Sequence, residues 1–168
     1  MVLFIVLPAQ AQVPDVRTIL VLGDSLSAAY GMEVSESWPS LLQARLERDG
    51  YAYGVFNSSI AGDTTQGGLA RLPRLLERER PAVVIVELGG NDGLRGIQLD
   101  VTRGNLAAMI EQSQASGARV LLAGIKLPPN YGAAYIEQFE SIYPDLASEY
   151  GTLLVPFIME GVVFEPGM

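Results

Sequence analysis

Five short runs of mainly apolar residues punctuate the chain: Thr18–Leu22, Tyr53–Ser58, Ala82–Glu87, Arg119–Gly124 and Thr152–Phe157. Together they are rich in Val, Ile and Leu, and each has the length of a strand. The third and fourth are almost unbroken, as expected of strands covered on both faces. Between them lie longer segments, Trp38–Asp49, Gln66–Arg80, Val101–Ser116 and Tyr131–Tyr150, which mix apolar and polar positions as amphipathic helices do. Pro39 fits the first turn of the first helix, where a missing N–H costs nothing. The second helix stops before Pro81, and the third runs into Ser116-Gly117, a plausible C-cap. The order βαβαβαβαβ predicts an α/β fold built on one five-stranded parallel, doubly wound sheet. No repeat, low-complexity tract or linker interrupts it, so residues 12–168 are expected to form one domain.

The 168 residues carry 11 Lys and Arg against 19 Asp and Glu, a formal net charge of −8, with no basic run or strip. That balance argues against nucleic acid and anionic membrane surfaces as partners. Cys and His are both absent. Disulfides, thiolate zinc sites and imidazole ligands are thereby excluded, and with no clustered carboxylate motif no metal site is expected. Near the N-terminus, "VLFIVLPAQAQ" carries Ala9-Gln10-Ala11 just before its last residue, an A-x-A cleavage pattern with the cut before Gln12. Residues 1–11 therefore read as the remnant of a signal peptide, and the protein as periplasmic or secreted. The alternative is an N-terminal strand, since no basic residue precedes Arg17. The stretch is too short to span a bilayer, and stable membrane insertion is not expected.

In open α/β sheets ligands bind beyond the carboxyl ends of the strands, which directs attention to three loops. The first is Gly23-Asp24-Ser25-Leu26-Ser27, after the first strand. A serine at a sharp strand exit can present its hydroxyl at the top of the sheet, although Asp24 or Ser25 could equally be a helix cap. It is not a G-x-S-x-G elbow, because the second glycine is absent. The second loop, Ser59 to Thr64, contains Gly62, whose N–H can face a ligand, and reads alone as an ordinary turn. The third, Leu88-Gly89-Gly90-Asn91-Asp92-Gly93, reads alone as a flexible turn. If the three strands are neighbours, the Ser25 N–H, the Gly62 N–H and the Asn91 amide suit an oxyanion hole.

The stretches "VLGDSLSAAYG", "NSSIAGDTTQGG", "ELGGNDGLRG" and "LPPNYG", in this order, resemble the SGNH or GDSL hydrolases, and within them the bacterial thioesterase, lysophospholipase and arylesterase group. The resemblance runs from about Thr18 to Met168. It implies a flavodoxin-like three-layer α/β/α sandwich, with Ser25 as nucleophile and Gly62 and Asn91 completing the oxyanion hole. It implies substrate contacts from Asp24, Leu26, Leu94, Arg95, Ile97 and Pro129, the segment after Gly93 lining the acyl pocket. The substrates it implies are small-molecule esters and thioesters: aryl and short-to-medium acyl esters and lysophospholipids. No metal or organic cofactor is called for, and the family's typical export agrees with the A-x-A pattern.

One departure stands out. The family's Asp-x-x-His block, which supplies the base and its orienting carboxylate, is not found before Met168. The chain as written is therefore expected to lack the final helix and to be nearly inactive, with an uncovered apolar patch that favours self-association. Lys126 as a substitute base has no supporting motif. Two other readings remain at this stage: a relative that only binds acyl or ester ligands, and a phosphate-binding flavodoxin-like domain. The latter lacks a phosphate-cradling G-x-x-x-x-G-K-[ST] motif.

Overall fold

A computed structural model describes residues 16–161 of the chain. The proposed signal remnant at residues 1–11 and the last seven residues lie outside that range. Five strands alternate with helices: β1 (Arg17–Gly23), α1 (Trp38–Arg48), β2 (Tyr53–Asn57), α2 (Thr65–Glu79), β3 (Val83–Glu87), α3 (Gly90–Leu94), α4 (Leu99–Ala115), β4 (Arg119–Ala123), α5 (Ala133–Tyr150) and β5 (Leu153–Val155). All pairings are parallel, in the order β2-β1-β3-β4-β5. This is the expected α/β/α sandwich around a five-stranded parallel sheet.

Alternation along β1 divides the core. Leu20 and Leu22 join Val84, Val86, Val120 and Leu122 beneath α2, α4 and α5, in a cluster that includes Leu72, Met109, Phe139 and Leu146. Ile19, Val21 and Ile85 point to the other face, against Trp38, Leu42 and Leu46 of α1. Both faces of the central strands are dry, which is why their sequences are continuous apolar runs rather than alternating ones. Toward the β5 edge the α1 face thins out: Leu121 is half-buried there, and its register partner Leu153 is 52 % exposed.

One loop and several boundaries differ from the sequence reading, α4 starting two residues early at Leu99 and β5 ending at Val155. The third loop is not a flexible turn: Gly89, with φ of 118°, enters the five-residue helix α3. α5 starts two residues late, because Pro129–Tyr131 form a separate 3-10 turn closed by Gly132 at φ of 90°. The C-cap at Ser116 and the halt of α2 before Pro81 are as read, with Arg80 taking the left-handed cap conformation.

Candidate active site

The sheet reverses its winding at β1, which lies between β2 on one side and β3 on the other. The three loops singled out in the sequence leave the carboxyl ends of these three adjacent strands, with the Ser25 loop in the middle. Backbone bonds lace the first two together: Ser58 N–H donates to the Val21 carbonyl (2.9 Å) and Ile60 N–H to the Gly23 carbonyl (3.0 Å). Asn57 Nδ2, at the end of β2, donates to the Ser27 carbonyl at 2.7 Å. Arg71, on α2, reaches the Ser58 carbonyl and hydroxyl and, at 3.5 Å, the Gly23 carbonyl, while its Nε pairs with Asp63 at 3.0 Å. One guanidinium thus ties the ends of β1 and β2 to the second loop.

The second and third loops are fastened to each other by a buried carboxylate. Asp92, fully buried in α3, accepts from the Thr65 N–H at 2.9 Å and from the Thr65 hydroxyl at the first turn of α2. A carboxylate at a helix N-terminus satisfies donors that the helix itself leaves unpaired. The N-cap of α2 is Thr64, whose hydroxyl accepts from the Gly67 N–H.

Ser25 is half-buried and lines a cavity of about 230 Å³ with Asp24, Leu26, Asn91, Leu94 and the segment from Ile125 to Pro128. A second opening is lined by Ser25, Gly62 and Asn91 together with Tyr30 and Ala61. Asn91 is held in orientation: its Nδ2 donates to Asp24 Oδ2 at 2.9 Å, leaving the second amide hydrogen free of that bond. Gly62 has φ of 80°, in the region that favours glycine. The Gly62 carbonyl accepts from Arg95 Nη2 at 2.9 Å.

The expected substrate contacts fare unevenly. Leu26 and Leu94 are exposed at the cavity rim, and Pro129 lines an adjoining hollow of about 510 Å³ with Leu26, Phe157 and Met159. Ile97 is half-buried and is not part of the lining of these spaces; its N–H turns back to the Asp92 carbonyl at 3.0 Å. Asp24 borders the cavity but is only 3 % exposed, and its carboxylate is engaged by Asn91 and by the Leu26 N–H at 3.1 Å. It is a buttress between two loops, and burial pushes its carboxyl above the usual range. The Lys126 ammonium lies 5.1 Å over the Phe157 ring rather than on a hydrogen-bonded partner.

Several residues escaped the sequence reading. Arg71 and Trp38 sat in helices with nothing to mark them. Glu87 carried a signal: a lone carboxyl closing an otherwise apolar buried strand. Among the described residues no group of three or more acidic side chains could hold a metal ion, and no helix is long and apolar enough to cross a membrane.

The fold and site together define an α/β/α sandwich that presents a serine just past the carboxyl end of β1, at the switch point of its sheet. Residues 21–167 match the GDSL-like Lipase/Acylhydrolase family, and the chain belongs to that family. It is 55 % identical over 152 residues to "Esterase TesA" of Pseudomonas aeruginosa, covering 90 % of this chain and 76 % of that protein. It is 50 % identical over 149 residues to "Thioesterase 1/protease 1/lysophospholipase L1" of Escherichia coli K12, covering 89 % and 70 %. The crystal structure of AlinE4, an SGNH-hydrolase family esterase, superposes with a TM-score of 0.86 at 42 % identity, over 92 % of this chain and 82 % of that one.

Proposed function

We propose that the protein hydrolyses carboxylic esters and acyl thioesters through an acyl-enzyme on Ser25. The observation that carries this reading is the convergence of Ser25, Gly62 and Asn91 on one opening at the switch point of the sheet. The Ser25 hydroxyl attacks the acyl carbonyl, and the tetrahedral oxyanion is met by the Ser25 and Gly62 N–H groups and the free Asn91 amide hydrogen. The C–O or C–S bond then breaks, the leaving alcohol or thiol takes a proton, and water releases the acid from the serine. The hollow of Leu26, Leu127, Pro128, Phe157 and Met159 offers an apolar wall to an acyl chain. The names of the relatives, esterase and thioesterase with lysophospholipase, agree with that substrate class.

These 168 residues contain no histidine, so no imidazole among them takes the Ser25 proton. Assayed by themselves they are expected to turn over esters slowly, the remaining acceleration coming from the oxyanion donors and binding. The A-x-A pattern at Ala9–Ala11 supports export to the periplasm or medium.

Asn91→Ala tests the oxyanion assignment. It is expected to lower kcat on p-nitrophenyl butyrate about a hundredfold with little change in KM, since the amide acts on charge that appears only in the transition state. A change confined to KM would reduce Asn91 to a substrate contact.

A further inference from the structure

Beneath Ser25 the fold seals in a carboxyl that the reaction does not use. Glu87 closes β3 and is wholly buried, and its Oε2 accepts from the Ser27 hydroxyl at 2.6 Å and from the Asp24 N–H at 3.3 Å. The Ser27 hydroxyl in turn accepts from the indole N–H of Trp38, on α1, at 3.1 Å. Asp24–Ser27 therefore hang on groups from β3, α1 and β2, with Ser25 in their midst. The fit leaves no slack: a Cβ on Gly23 would lie 2.7 Å from Glu87 Oε2 and equally close to the Ser27 hydroxyl. We propose that Glu87 is a positioning residue for the reaction at Ser25, its buried carboxyl fixing the Asp24–Ser27 turn at the mouth of the cavity. The inference rests on the Ser25 reading above.

The surroundings favour the neutral acid. Glu87 Oε1 has no hydrogen-bond partner among the described residues, and an anionic oxygen there would be desolvated without compensation. Asp24 faces it from the β1 exit, and from α5 comes the Tyr143 hydroxyl, which donates to the Leu88 carbonyl at 3.0 Å. From α2, Arg71 reaches the Gly23 carbonyl but makes its ion pair with Asp63. Among the described residues no cation pairs with Glu87. Burial first, and then the charge of Asp24, push its carboxyl up to about 8. Ionisation sets a second negative charge against Asp24 and loosens the turn that both residues hold.

The test is hydrolysis of p-nitrophenyl butyrate by the intact protein across the neutral and alkaline range, read as kcat and KM, with the thermal midpoint taken on the same samples. Wild type is expected to lose kcat as the pH rises through about 8, while Glu87→Gln, a permanent mimic of the neutral acid, matches wild type near neutrality and keeps its kcat above that point. The thermal midpoint should fall earlier. Between the unfolded value of 4.5 and about 8 the folded state holds a proton that the unfolded chain has released. The stability Glu87 contributes is therefore fully present below that window, is lost across it and is gone above about 8. Glu87→Gln flattens that fall, leaving the smaller slope from Asp24, whose carboxyl is also raised. Glu87→Ala should lower kcat about tenfold or more with KM little changed. Ser27→Ala removes one bond of the network while keeping the carboxyl, and should lower kcat severalfold even if Glu87→Ala fails to fold.

Matching alkaline profiles of wild type and Glu87→Gln would overturn the proposal, as would wild-type kcat in Glu87→Ala or Ser27→Ala. Ser25→Ala, run alongside, separates the two readings. Hydrolysis surviving in Ser25→Ala sinks the nucleophile assignment itself. An inert Ser25→Ala beside a Glu87→Gln profile that matches wild type sinks only the role of Glu87.

Discussion

Ser25→Ala is expected to abolish ester hydrolysis. The hydroxyl is the atom to which the acyl group is transferred, so its loss removes the covalent route and leaves only oxyanion stabilisation of attack by water. Where an imidazole assists the serine, removing the nucleophile of such a unit costs about a millionfold in kcat. In these 168 residues alone, which lack histidine, both rates start low, and the cleaner measurement is covalent. A fluorophosphonate should add its phosphonyl group to wild type at Ser25, seen as a mass shift on the peptide spanning Gly23–Ser27, and Ser25→Ala should remain unlabelled. Unchanged hydrolysis or labelling in Ser25→Ala would leave the serine as no more than a turn residue.

Gly23→Ala is expected to damage both stability and activity. Gly23 is the last residue of β1 and is buried, and the added methyl would sit 2.7 Å from Glu87 Oε2 and 2.7 Å from Ser27 Oγ. Neither atom is the far end of a free side chain. The two are bonded to each other at 2.6 Å, and Ser27 also accepts from Trp38. Overpacking of this kind costs about 1–3 kcal/mol, which for a chain of this length lowers the thermal midpoint by roughly 2–4 °C per kcal/mol. The larger effect falls on turnover, because the displaced groups are those that hold Ser25. Thermal unfolding and phosphonylation of the same variant check the two halves of the prediction. A variant with the wild-type midpoint and labelling rate would show that the turn yields without cost.

How far the site was legible from the sequence depends on where its information is stored. The first loop announced itself because a strand exit needs glycine and the serine follows at once. Asn91 was placed by its glycines, but the helix around it was not. Five residues, Gly90–Leu94, show no periodicity, and α3 is held by groups distant in sequence: the Asp92–Thr65 bonds, and the Tyr131 and Tyr135 hydroxyls on the Leu94 and Gly93 carbonyls. Ile97 was expected at the pocket by its place after Gly93; that its N–H closes the α3 turn on the Asp92 carbonyl has no local trace. Asp24 was expected among the substrate contacts; its bond to Asn91, 67 residues away, has no local trace.

The sequence by itself determined the alternation of five apolar strands with amphipathic helices, and hence the parallel sheet and the loops that must carry the chemistry. Those features follow from periodicity, turn residues and caps, which act over a few residues. Only the tertiary structure decided that β2, β1 and β3 lie side by side, so that Ser25, Gly62 and Asn91 open on one cleft. It also decided that Glu87, Asp24 and Asp92 lie beneath that cleft as buried carboxyls. Strand order and the burial of a charge depend on pairings between segments far apart in the chain, where desolvation and hydrogen-bond partners are set by packing and not by neighbours in sequence.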